Sequence, residues 1–94
     1  MNPNLKFQMK NKVYILHTDP GHGWLAVKKR ELAALGVTGI SSYSYVKGNT
    51  VYLEEDCDAS LFLKAYEELF GDRPKMRESY LEHTPIRYYD RFVN

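Results

Sequence analysis

Two histidines and an aspartate fall within six residues in the stretch Ile15-Leu16-His17-Thr18-Asp19-Pro20-Gly21-His22-Gly23-Trp24. These side chains are metal-ligand types. A catalytic zinc ion takes three protein ligands and a water, at about 2.0–2.2 Å for nitrogen and oxygen donors. His17 and Asp19 lie two apart on an extended segment and so share a face, and His22 could curl round to complete a set. The competing reading is a tight turn. Pro20 presets φ, Gly21 tolerates positive φ, Asp19 bonds its own backbone, and the histidines are polar surface residues. The turn is the stronger reading. No metal and no cofactor are therefore expected, with His17, Asp19 and His22 as the fallback ligand candidates.

The second cluster is Glu54-Glu55-Asp56-Cys57-Asp58, four acids in five residues. Carboxylates so close could bind a divalent cation through oxygen, but the spacing and glycine of an EF-hand loop are missing. Helix capping by Asp56 or Asp58 explains the acids more simply, since negative charge is favourable at a helix amino end. An acidic epitope for a basic partner surface is the functional alternative. Cys57, as a nucleophile, would need a nearby base and an electropositive setting. Its neighbours are acids, which push a thiol pKa the wrong way. A histidine from the first loop could still approach it, but an inert, partly buried thiol is the simpler expectation.

Aromatic content supplies the third feature, with 8 Tyr, 4 Phe and 1 Trp. Tyr43 and Tyr45 alternate with serines and predict one strand face, with Tyr52 able to pair across from the next strand. The rings either face the helices as core, leaving the serines on the open face, or form an outward patch. Such a patch could stack bases or dock a protein, since Tyr, Trp and Arg dominate interface hot spots. The predicted partner-binding residues are Glu54, Glu55, Asp56, Asp58, Trp24, Arg87, Tyr88, Tyr89 and Arg91, and no catalytic residue is assigned.

The elements that must position these groups follow from periodicity and punctuation. Residues 1–11 are polar with scattered Met and Phe and predict a loose arm. Val13 to His17 is a near-continuous apolar run, as in a strand covered on both faces, and Trp24 to Val27 returns beside it. Lys28 to Leu35 predicts a short helix with Leu32 and Leu35 inward and Gly36 as a left-handed stop. Ile40 to Val46, the turn Lys47-Gly48-Asn49, and Thr50 to Glu54 predict a β-hairpin. Leu61, Phe62, Ala65, Tyr66, Leu69 and Phe70 line one broad helical face, ended by Gly71 and Pro74. Residues 75–94 predict a short helical turn near Arg77–Glu82 and an aromatic, basic tail packed back on the domain. The class is α+β: one two-layer domain over 1–94 in the order ββαββα plus tail.

Composition bounds the function. The chain has 94 residues, 13 Lys+Arg, 12 Asp+Glu and a formal charge of +1, which does not favour a dedicated nucleic-acid binder. A single cysteine rules out a disulfide within the chain and fits a reducing compartment. No apolar run approaches the ~18 residues of a membrane span, and the first dozen residues lack the apolar stretch of a secretion signal. The expectation is a cytoplasmic protein, monomer or homodimer, with no membrane partner.

The residues Asp-Pro-Gly-His-Gly at 19–23 resemble the strand-end motif of zinc-dependent N-acetylmuramoyl-L-alanine amidases, which implies a zinc role for His22. That family also needs a glutamate ligand, a second histidine and a catalytic glutamate. Glu31 and His83 could be offered for the first two. The likeness covers five residues, and the amidase domain is about twice this length. More broadly, "LHTDPGHGWLAV", "YSYVKGNTVYLEEDCDASLF" and "TPIRYYDRF" resemble a largely uncharacterised family of small proteins encoded on bacteriophages and plasmids, from about Val13 to the carboxyl end. The resemblance implies a non-enzymatic protein that binds and blocks a host protein, including defence machinery such as CRISPR effectors. A small metal-dependent hydrolase centred on His17, Asp19 and His22 is the alternative, and a nucleic-acid-binding accessory protein using the tail cations is a weaker one.

Overall fold

In the computed structural model, residues 1–93 are described, and six strands form one mixed sheet backed by three helices. The sequence forms α1 (Pro3–Asn11), β1 (Val13–Thr18), β2 (Gly23–Lys28), α2 (Lys29–Ala34), β3 (Tyr45–Lys47), β4 (Thr50–Glu54), α3 (Asp58–Phe70), β5 (Lys75–Tyr80), a 3₁₀ turn (Pro85–Tyr88) and β6 (Asp90–Arg91). The sheet order is β5-β1-β2-β4-β3-β6. All neighbours are antiparallel except β1 and β5, which run parallel. The class is α+β, as expected, but the element order is richer than ββαββα.

Two elements correct the sequence reading. Residues 3–11 are a helix and not a loose arm. Asn2 caps it by accepting from the Asn4 amide at 2.8 Å, and Pro3 stands in the first turn. Leu5 and Met9, four apart, turn one face to the core, and Met9 is fully buried there. Residues 75–80 are a strand and not a helical turn; they extend the sheet beyond β1 in register Val13↔Lys75 to Thr18↔Tyr80. The tail does fold back, through the 3₁₀ turn and β6, which pairs with β3.

The hairpin is shorter than its Ser/Tyr alternation suggests. Only Tyr45–Lys47 is strand. Residues 41–44 turn instead, because their serines serve a different partner. Asp58 accepts from the Ser41 amide at 3.1 Å, from Ser41 Oγ at 2.7 Å and from Ser44 Oγ. Ser44 Oγ also accepts from the Glu54 amide at 2.9 Å. Tyr43 and Tyr45 therefore do not share a strand face: Tyr43 is 64% exposed and Tyr45 is buried.

Alternation along the central strands splits the sheet into two chemistries. Tyr14, Leu25, Val27, Val51 and Leu53 face the helices and pack with Met9, Leu32, Phe62 and Tyr66. The Tyr14 ring lies 5.3 Å from Phe62 and 6.1 Å from Tyr66, within the range of favourable aromatic pairs. The opposite face carries Trp24, Tyr45 and Tyr52 under Ile86 and Tyr89 of the tail. Tyr45 and Tyr52 do pair across β3 and β4, but away from the helices. The tyrosines are thus the floor of the other face, and the buried serine, Ser44, is not on an open one.

Candidate functional site

On this second face the ends of β2, β3 and β4 and the tail enclose a cleft of about 370 Å³, lined by His22, Trp24, Tyr43, Tyr45, Glu54, Asp56, Cys57, Arg87 and Arg91. Its floor is Trp24 and Tyr45, whose ring centroids are 6.1 Å apart at 72°. Each ring carries an arginine. Arg87 lies 5.3 Å from the Trp24 centroid and Arg91 lies 4.9 Å from that of Tyr45.

The turn that the opening sequence motif builds holds one of those arginines. The Asp19 amide donates to the His22 carbonyl at 2.9 Å, and Asp19 Oδ1 accepts from the Gly21 and His22 amides at 2.9 and 2.8 Å. The same carboxylate takes Arg87 as a fork: Nε to Oδ2 at 2.6 Å and Nη2 to Oδ1 at 3.1 Å. Arg87 is delivered by a short element with its own local code, Thr84-Pro85. Thr84 Oγ1 accepts from the Ile86 amide at 3.4 Å, and Pro85 starts the 3₁₀ turn. Arg91 is held more lightly, donating from Nη1 to the Ser42 carbonyl at 3.0 Å.

The Arg87 bonds hold the Asp19 carboxyl below the usual carboxylate range, with the two backbone donors adding to them. Asp19 therefore supports folding above its unfolded pKa of ~3.9 and loses that support as pH falls below it. We expect Asp19→Asn to melt below the wild type at neutral pH, with the gap narrowing in scans taken progressively below pH ~4. A gap of constant size across that range would contradict the pairing.

No set of three His, Cys, Asp and Glu side chains converges to hold a metal among the described residues. His17 lies on the sheet face against Tyr52 at 5.7 Å, and His22 tilts against Trp24 at 6.0 Å. Asp19 is already occupied by four donors. We expect elemental mass spectrometry of untagged protein to show no stoichiometric zinc and His22→Ala to leave the fold intact. Stoichiometric zinc lost in that variant would restore the metal reading.

The structure sorts the predicted partner-binding residues. Trp24, Glu54, Asp56, Arg87 and Arg91 meet in the cleft. Glu55 lies on another groove along α3, with Leu61 and Lys64. Tyr88 and Tyr89 line a depression beside Lys47 and Asp90. Asp58 is corrected outright: it is 2% exposed and ties down the 41–44 turn, so it offers no surface. Nor do Asp56 and Asp58 cap α3 through their side chains. Among the described residues no side chain caps α3; Glu54 instead closes the turn that precedes it, accepting from the Asp56 and Cys57 amides at 3.0 and 2.9 Å.

Residues that the sequence left out of the binding set join it here: His22, Tyr43, Tyr45 and Cys57. Cys57 and His22 line the same cleft, yet the thiol is pushed up by desolvation and by the charges of Glu54, Asp58 and Asp56. It is a poor nucleophile in this setting. What the arrangement offers is recognition: a rigid aromatic floor, two ordered guanidinium groups, and the carboxylates of Glu54 and Asp56 on one side.

Fold and site together define a small α+β protein with an aromatic–arginine cleft on the sheet face opposite the helices. No family model, no curated protein and no solved structure matches the chain. No helix among the described residues is long and apolar enough to cross a membrane.

Proposed function

We propose that the protein is a non-enzymatic binding module that docks a partner protein in the cleft between Trp24, Tyr43, Tyr45, Arg87 and Arg91. The observation that carries this reading is the cleft's composition and order. Trp, Tyr and Arg are the residue types that dominate interface energetics. Here the arginines are already stacked and bonded, so less side-chain freedom is lost on association. The cleft volume is at the low end of the ~300–1,000 Å³ of small-molecule pockets and suits an anchoring side chain of a partner. The sequence likeness to phage and plasmid accessory proteins makes a host protein, in the host cytoplasm, the first partner to seek. Blocking a defence component such as a CRISPR effector is the activity that likeness suggests.

Affinity capture from a bacterial lysate tests the reading when the bait is varied. Asp56→Lys and Arg91→Glu are exposed cleft substitutions, and Glu68→Lys on the outer side of α3 is the control. A partner retained by wild type and Glu68→Lys but lost by both cleft variants is the expected result. An identical retained set from all four baits would contradict it.

A further inference from the structure

The sheet face beyond the cleft has a layout that the docking reading does not use. The strand register places its side chains. Lys75 pairs with Val13, and Lys28 pairs with Thr50, which pairs with Lys47; alternation from the His17↔Trp24 pair puts all five on this face. On the same face Arg77 pairs with Ile15 and Ala26 pairs with Tyr52. The helices all lie on the other side, and the tail covers only the Trp24, Tyr45 and Tyr52 end. Val13 consequently remains 46% exposed, and Ile15, His17, Ala26 and Tyr52 are half-buried.

Charge on this face is one-sided. Lys28, Lys75 and Arg77 are exposed. Of the carboxylates that share the face, Asp19 and Glu54 are spent internally, on Arg87 and on backbone amides, and Asp56 lies at the cleft end, away from these cations. The near-neutral total charge of the chain hides this local excess. Between the cations lies a flat floor with two rings. Ala26 on β2 is small enough for His17 on β1 and Tyr52 on β4 to meet above it, at 5.7 Å.

We infer that this face, with cations Lys28, Lys75 and Arg77 and rings His17 and Tyr52, binds single-stranded nucleic acid. The chemistry it offers is that of a stacking platform: rings and apolar floor for bases, cations for the phosphates. Four strands at ~4.8 Å spacing give a width of about 14 Å between the outer strands. Four-stranded RNA-binding sheets of that scale hold two or three stacked bases. A duplex hides its bases and cannot use the floor, so the face discriminates against it. This inference rests on β5, β1 and the lower part of β2, outside the cleft, and shares with the cleft's surroundings only Tyr52 of β4, one side of which packs against Tyr89 of the tail.

The test is fluorescence anisotropy of a labelled thymidine oligomer at low salt, with the full chain, against a duplex and a polyglutamate peptide. Saturable binding to the single strand is expected, with log K falling against log salt at a slope of about −2 for three phosphate contacts. The double variant Lys75→Glu/Arg77→Glu changes exposed positions only and should weaken binding at least ~10-fold, while Tyr52→Leu should weaken it without changing the slope. Circular dichroism establishes that both variants are folded. No saturable binding, or binding unchanged in the charge variant, overturns the inference. Equal affinity for polyglutamate with no effect of Tyr52→Leu also overturns it, in favour of an acidic protein partner.

Discussion

Asp58→Ala is expected to cost about 3 kcal/mol of folding stability and to loosen the Tyr43–Tyr45 wall of the cleft. Asp58 is 2% exposed, and among the described residues no basic side chain pairs with it. Its charge is satisfied by the Ser41 amide and the Ser41 and Ser44 hydroxyls, with the amino end of α3 beside it. Deleting the carboxylate leaves buried donors unpaired, which costs more than the bonds themselves contribute. Ser44 also anchors the Glu54 amide, so the loss propagates to the end of β4 and the cleft wall. Urea unfolding gives the energy, and the amide NMR signals of residues 41–45 report the loosening. A change below about 1 kcal/mol with those signals unmoved would show that the turn is held by something else.

Glu31→Ala should be equally severe, at about 3–4 kcal/mol. Its carboxylate is buried against the interior strands β1 and β2 and gathers three elements. It accepts from Lys12 Nζ at 3.1 and 3.2 Å, Tyr14 OH at 2.8 Å and the Lys28 amide at 2.7 Å. Lys12 is 34% exposed, so solvent keeps much of its charge stabilised and its share of the loss is small. Most of the cost comes from Tyr14, whose fully buried hydroxyl would lose its acceptor. Burial first, and then the bond to Glu31, raises the phenol pKa well beyond its ordinary value. It remains a neutral donor at any ordinary pH. A double-mutant cycle with Tyr14→Phe should therefore return a coupling above about 1 kcal/mol. Additive losses would show that the two groups do not share the bond.

The legible parts of this fold are those whose signals are local. Asp19-Pro20-Gly21 builds a turn through bonds no more than three residues long. Gly36 and Gly71 stop α2 and α3 at φ +66° and +83°, where a side chain would be strained. The Phe62 and Tyr66 face of α3 is set by a four-residue spacing that survives any tertiary context. β5 was not legible, because Lys75–Tyr80 is an exposed edge strand with no apolar alternation to read. Its only instruction is a long-range parallel pairing with β1. In α1 the apolar face is slight, and the Asn2-Pro3 cap carries the signal instead.

The cleft shows the same division. Trp24 and Arg87 could each be singled out by residue type, but nothing local says they meet. Asp19 and Arg87 are 68 positions apart and are joined only once the tail crosses the sheet. The Ser/Tyr alternation at 41–45 misled for a related reason. Period two is also what a turn shows when its serines are bonded to a buried aspartate in the next helix. Asp58 looked like surface charge because its partners are hydroxyls and an amide, which leave no charge pattern in the sequence.

The most direct test of the cleft as the docking site is the dissociation constant of the captured partner for Tyr43→Ala against wild type, by isothermal titration calorimetry. Tyr43 is exposed, belongs to neither core cluster and can be removed without touching the fold. The account predicts affinity weaker by at least ~10-fold, the behaviour of a hot-spot ring. Affinity unchanged in Tyr43→Ala, with the protein folded, would contradict it.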